Sequence, residues 1–284
     1  MEEMLLQLES GRVPVLSIAF MSISMTLMFV IFLIVPIILV KYKHCKLTAY
    51  IFGCLTWLLF ASFLEGLIHS IVLRGQTGTV LTGNIWLYAL YGAFMAALFE
   101  EGGRFLTMKF VMKKEIGNNA NAIAFGAGHG GFEAISILCM GMLSNLVLSI
   151  VINTGAASSL TASLNLIPEE QAMSALSSML QLVTLPPYMF LVGIFERIAA
   201  IAAHIGMSVF VWFAVKEKKT LLWGCAFLMH FFLDFVTVIV NANAPNVIIT
   251  EIAVYLIAAA YVFLAVKLYK AHNIVEEVSI TTEE

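Results

Sequence analysis

Long apolar runs separated by short polar turns make up most of this chain. Seven runs are long enough to cross a hydrocarbon core about 30 Å thick. They cover residues 15–40, 47–73, 85–112, 120–153, 186–215, 220–242 and 246–266. The fourth is overlong and is expected to tilt, bend at its glycines, or break into a span and a short return segment. A more polar stretch, 154–185, follows it. Within that stretch Pro168-Glu169-Glu170 has the form of a helix start. Met173, Leu176, Leu180 and Val183 then fall on one helical face, which predicts an interfacial helix over about 168–184. No internal repeat stands out. The expected fold is all-α and polytopic, with about seven transmembrane helices in a single integral membrane domain over 1–284.

Composition agrees with a multi-pass protein of the cell membrane. The 284 residues are 61% hydrophobic and only 12% charged, with a mean hydropathy of +0.96, far from a soluble domain. The net charge of −3 gives no sign of a nucleic-acid partner. Cys45, Cys54, Cys139 and Cys225 are scattered and form no CxxC pair, so they read as small packing residues. The acidic start MEEMLLQLES lacks the basic segment of a signal peptide, so the first run is expected to remain as a span. Lysines fix the orientation. Lys41, Lys43 and Lys46, then Lys109, Lys113 and Lys114, then Lys216, Lys218 and Lys219, then Lys267 and Lys270 all follow odd-numbered spans. The opposite ends carry only Arg12 and Arg74. The positive-inside rule therefore places the N-terminus outside and the C-terminus in the cytoplasm.

Against this apolar background, a few polar residues share one depth. Glu100 and Glu101 on the third span, His129 and Glu133 on the fourth, His204 on the fifth, and His230 and Asp234 on the sixth all fall roughly 14 to 20 Å from the cytoplasmic boundary. One charge near the bilayer centre costs about 2.5 to 3.5 kcal/mol on insertion scales, so such residues are functional candidates. His129 with Glu133, His230 with Asp234, and His204 with Ser208 are each four apart and share a helix face. Arg104 is four residues from Glu100 and can neutralise one carboxylate. Small residues surround the set, among them Gly102, Gly103, Gly126, Gly128, Gly130, Gly131, Ala199, Ala203 and Gly206, and let helices approach closely. Other intramembrane polar residues have structural readings. His69 reads as a hydrogen-bonded packing residue. Arg197 reads as an ion-pair partner of Glu65 at equal depth, or of its neighbour Glu196. Glu251 reads as a hydrated residue near the outer interface.

The order of these motifs resembles that of the glutamic-type intramembrane proteases, which include the CAAX prenyl endopeptidases, bacteriocin-processing and immunity proteins, and the PrsW site-1 proteases. Glu100-Glu101-Gly-Gly-Arg104 is similar to their first motif, Phe125-Gly-Ala-Gly-His129 to FxxxH, and His230-Phe-Phe-Leu-Asp234 to HxxxN/D. The spacing EExxR is one residue shorter than the CAAX form EExxxR and nearer the PrsW form EExxK. Glu133 also matches a glutamate of the PrsW second motif. The strings FGAGHGGFEA, FERIAAIAAHIGMSV and MHFFLDF are most similar to the YhfC family of intramembrane metalloproteases. The resemblance covers roughly 85–242.

Together the residues and the resemblance imply an intramembrane endopeptidase acting on a membrane protein or lipid-anchored peptide, within the lipid bilayer. The expected catalytic set is Glu100, Glu101, Arg104, His129, Glu133, His204, His230 and Asp234. Glu100 or Glu101 is the expected base, with Arg104 holding the other. His204 and His230 serve the oxyanion or the leaving amine, and His129 and Glu133 complete the water site. Asp234 is expected to fix a histidine tautomer, most easily that of His204. No cofactor is expected to be required. The alternative is a zinc site built from His204, His230, Glu133 and Asp234 with a third-span glutamate as base. Two other classes stay open at this point: a proton-coupled transporter or channel, and a non-catalytic membrane scaffold subunit.

Overall fold

The computed structural model describes residues 2–155, 164 and 166–281. Helices account for nearly all of them. These are α1 (Glu2–Ser10), α2 (Val15–Lys43), α3 (Leu47–Val72), α4 (Gly75–Thr82), α5 (Ile85–Val111), α6 (Ala120–Asn153), α7 (Glu169–Thr184), α8 (Met189–Lys216), α9 (Thr220–Asn243) and α10 (Val247–Thr281). Among the described residues, six (α2, α3, α6, α8, α9 and the Val247–Asn273 part of α10) are long and apolar enough to cross a membrane. The remaining expected span, the third (α5), meets the same measure only together with α4, from which it bends by 109°. It is the span that carries both adjacent glutamates. Asn84 starts α5 by accepting hydrogen bonds from the Trp86 and Leu87 backbone N–H groups.

Three spans contain π-helical segments: Trp57–Glu65 in α3, Thr107–Val111 in α5 and Ile135–Cys139 in α6. Such segments are rare and frequently accompany functional sites. The overlong fourth run is thus helical throughout 120–153, with its irregularity taken up by a π segment. The seventh run continues as helix well past 266.

The chain divides into two compact units. One comprises Met1–Ile31 and Ile135–Phe195. Here Leu8 of α1 and Ala172, Leu176 and Leu180 of α7 share an apolar cluster with Val13, Met21 and Ile152. The apolar face predicted for 168–184 is therefore covered by protein. Asn153 closes the unit by exchanging two hydrogen bonds with the Val13 backbone, at 2.8 and 3.0 Å.

The other unit comprises Phe32–Ala134 and Glu196–Glu284. Its core is built from small residues between large ones, including Ala122, Phe125, Ala203, Met207, Trp212 and Ala226. Large apolar side chains such as Leu33, Ile37, Phe63, Phe94, Leu228 and Phe263 point outward. Charged side chains lie inside, the inverse of a soluble protein and the arrangement a lipid solvent selects. One end is pinned by asparagines. Asn119 Oδ1 accepts from Trp212 Nε1 and Lys216 Nζ, and Asn119 Nδ2 donates to Asn273 Oδ1 at 2.7 Å. The chain is a multi-pass membrane protein.

Candidate functional site

Glycines bring the functional helices together. A Cβ on Gly130 would lie 2.9 Å from the His204 Cβ, and one on Gly126 would lie 2.6 Å from the Ile205 Cα. That face of α6 therefore accepts α8 almost backbone to backbone. Its other face meets α3 as closely. A Cβ on Gly128 would sit 2.0 Å from the Tyr50 carbonyl oxygen, and one on Gly53 would sit 2.1 Å from that of Phe125. Held on both sides, α6 presents His129 and Glu133 beside His204.

Around this seam the side chains form one buried network. Arg104, fully buried, donates through Nη1 to Glu101 Oε1 and through Nη2 to Glu100 Oε2 at 3.3 Å and His204 Nδ1 at 2.5 Å. An arginine N–H can only donate, so His204 Nδ1 is the acceptor and its Nε2 is left to face the site. That Nε2 lies 2.6 Å from Glu133 Oε2. Despite the short distance, Glu133 Oε2 has no hydrogen bond of acceptable geometry among the described residues. With Nδ1 accepting, the ring proton sits on Nε2, so the two atoms form a close donor–acceptor approach that is not aligned as a hydrogen bond. The other oxygen, Glu133 Oε1, accepts from Arg197 Nη1 at 3.1 Å, and Arg197 Nη2 also contacts Glu196. His129 Nε2 is 2.7 Å from Glu100 Oε2. His230 Nδ1 is 2.8 Å from Glu101 Oε1, and its Nε2 lies 3.4 Å from Asp234 Oδ2 and 3.9 Å from Glu100 Oε1. The imidazoles follow one another in a row, tilted for His129–His204 with ring centroids 5.3 Å apart and edge-on for His204–His230 at 5.5 Å.

All eight residues singled out in the sequence belong to this network. Seven lie in its interior, and Asp234 sits at its edge with a side chain 35% exposed. Two expected pairings differ from the structure. Asp234 contacts His230, on its own helix, and no contact with His204 is found among the described residues. Arg197 pairs with Glu133 and, as the alternative expectation had it, with its neighbour Glu196, whereas Glu65 pairs with His69, Nε2 to Oε1 at 3.0 Å, and His69 Nδ1 meets the Tyr91 hydroxyl at 2.9 Å. His69 is hydrogen-bonded as expected. Glu251 is only partly exposed, and its Oε2 is buried without a partner among the described residues, so it is drier than its position near a span end implied. Sequence reasoning missed Arg197 as a member of the site. The available signal was its spacing of seven residues, two helical turns, from His204.

One oxygen or nitrogen from each of Glu100, His129, Glu133 and His204 can be chosen so that all lie within 4.8 Å of one another. Two nitrogens and a carboxylate oxygen are the donor types of a catalytic zinc site. The charges also fit a cation. Glu100, Glu101, Glu133 and Asp234 face only two guanidiniums, those of Arg104 and Arg197. With neutral imidazoles, a surplus of negative charge then remains in a low-dielectric interior. His230 is already engaged by Glu101 and Asp234 and stands outside this group. Of the zinc ligands anticipated from sequence, the group contains His204 and Glu133.

The sequence model of the YhfC intramembrane metalloprotease family matches residues 27–255, which include every residue of the network. This chain belongs to the YhfC family. It is 36% identical over 225 residues to the uncharacterized membrane protein YhfC of Bacillus subtilis (strain 168), an alignment covering 78% of this chain and 84% of the relative. No solved structure matches the chain. The family is named for a metal-dependent protease, and the buried His/Glu group offers ligands for one. Both findings overturn the expectation that no cofactor is required.

Proposed function

We propose that the chain is an intramembrane metallopeptidase that hydrolyses a peptide bond of a membrane-embedded or membrane-anchored substrate. In this reading His129, Glu133 and His204 hold a divalent ion such as zinc, and Glu100 accepts the proton of the attacking water. The observation that carries it is the convergence of these four side chains within 4.8 Å inside an apolar helical bundle. An ion held there supplies Lewis acidity, polarising the scissile carbonyl and making water more acidic.

The protein's own groups have separable tasks. Arg197 takes one oxygen of Glu133 and leaves Oε2 as the ligand atom. His204 Nε2 is the ligand atom; holding an ion there puts the ring proton on Nδ1, so Arg104 Nη2 would give up Nδ1 and keep Glu100 Oε2. Glu100 Oε2 is held by His129 and Arg104, so Oε1 is the oxygen available to receive a proton. Glu100 would hand the proton from the attacking water on to the leaving amine itself, with His230 Nε2 standing 3.9 Å from that Oε1. Glu101 and Asp234 hold the His230 ring from opposite sides. A substrate helix must unwind locally before its carbonyl can enter, because helical carbonyls are already hydrogen-bonded.

The test is a proteoliposome assay with purified chain, zinc and a library of membrane-anchored peptides, read by mass spectrometry for new N-termini. New termini are expected with wild type and none with Glu100→Gln or His204→Ala at unchanged expression. Equal cleavage by Glu100→Gln would remove the base assignment. Absence of any cleavage together with proton flux across the liposome membrane would replace the hydrolase reading by a transporter.

A further inference from the structure

A cavity lies in the unit that carries the buried network. It has a volume of about 440 Å³, within the usual range for small-ligand pockets, and lies between α6, α8 and α10. Its walls are apolar and include Ile123, Ile205, Val209, Val262, Ala265 and Val266. Its polar groups are few, and the lysines Lys43 and Lys270 are both exposed. Neither lysine forms an ion pair among the described residues, unlike Lys46 with Glu115 or Lys219 with Glu217. Asn273, which also lines the cavity, is held by a hydrogen bond from Asn119.

Lys43 ends α2, and Lys270 lies near the end of the apolar Val247–Asn273 part of α10, both at the side where basic residues concentrate, which the positive-inside rule assigns to the cytoplasmic leaflet. That leaflet contains anionic lipids, and basic pockets between spans on that side bind their headgroups. An apolar slot with two uncompensated cations matches one amphiphile in shape and charge. The slot runs along α8 at Ile205, the residue after His204.

We propose that this cavity is a binding site for one anionic phospholipid, with its phosphate between Lys43 and Lys270 and an acyl chain against Val209, Val262 and Val266. The occupant would brace α8 beside the catalytic histidine. The site is separate from the metal group, and the proposal stands whether or not the chain is a peptidase.

The experiment uses the full chain in nanodiscs of mixed phosphatidylglycerol and phosphatidylcholine, with lipid retention measured by native mass spectrometry after release into detergent. Wild type is expected to retain one phosphatidylglycerol in preference to phosphatidylcholine. Lys43→Gln/Lys270→Gln is expected to weaken that retention about thirtyfold, at about 1 kcal/mol for each basic residue near the surface. Val266→Trp, at a residue 45% exposed, fills the slot while keeping both lysines, and should lose the lipid as well. Retention without headgroup preference in wild type, or equal in the double glutamine variant, overturns the proposal. Retention that survives Val266→Trp shows charge attraction alone and overturns the acyl slot.

Discussion

Arg104 is the residue whose removal the structure makes most expensive. Its guanidinium is fully buried and contacts Glu101, Glu100 and His204 at once. Replacing it by Met keeps the volume and deletes the charge. Glu101, also fully buried, would then keep only His230 Nδ1 at 2.8 Å, since its Oε2 already lacks a partner among the described residues. Stranding one partner of a buried ion pair costs about 3 to 5 kcal/mol. At roughly 2 °C per kcal/mol for a chain of this size class, the midpoint should fall by about 6 to 10 °C. The assay is thermal unfolding in detergent followed by tryptophan fluorescence. Arg104→Met/Glu101→Gln, which removes both charges, should recover most of the loss, and the double-mutant cycle gives the coupling directly. A midpoint for Arg104→Met within about 2 °C of wild type would refute the reasoning, because it would mean Glu101 carries no charge that needs this partner.

Arg197→Gln should weaken zinc binding about 10- to 100-fold by releasing Glu133, with partial recovery in Arg197→Lys; equilibrium dialysis measures both. Gly130→Leu should destabilise by at least about 1 to 3 kcal/mol, because its Cβ would stand 2.9 Å from that of His204. Gly102→Ala, where nothing lies within 4 Å of the new Cβ, should be neutral or mildly stabilising in the same unfolding assay. Cys45 lies in the turn between α2 and α3, outside the spans. Burial pushes its thiol above the usual value, against a smaller opposing effect of a backbone hydrogen bond. A raised value means less thiolate at any given pH. Maleimide labelling of Cys45 at pH 7.5 should therefore be at least about tenfold slower than in the SDS-unfolded chain, and should accelerate only as the pH is raised; peptide mass spectrometry reads it.

Depth was legible in the sequence and azimuth was not. Apolar length fixes where each span begins and ends, so the runs at 47–73, 120–153 and 220–242 match helices Leu47–Val72, Ala120–Asn153 and Thr220–Asn243 closely. Height along those spans then identified the residues that meet. Rotation about each helix axis is set by packing, which depends on side chains of several helices together. Height alone pairs Arg197 with Glu65, yet Arg197 turns toward Glu133 and its neighbour Glu196, the other partner the sequence offers, while Glu65 turns to His69. Asp234 failed as a partner of His204 for the same reason, because the i,i+4 contact with His230 lies closer. The bend between α4 and α5 left no apolar signature, since Gly75–Thr82 is a short helix rich in Gly and Thr. Gly126, Gly128 and Gly130 are points of close approach as expected, and the structure adds which helix each one meets, whereas Gly102 faces open space.

An ion held by His129, Glu133 and His204 is the centre of the proposed chemistry, and metal stoichiometry tests it most directly. Purified chain, dialysed against zinc and then against metal-free buffer, should carry about one zinc per chain by elemental mass spectrometry. His129→Ala and His204→Ala should carry essentially none, while Glu100→Gln should retain it. A chain that binds no zinc or other divalent ion, or binds it equally after either histidine is removed, contradicts the account.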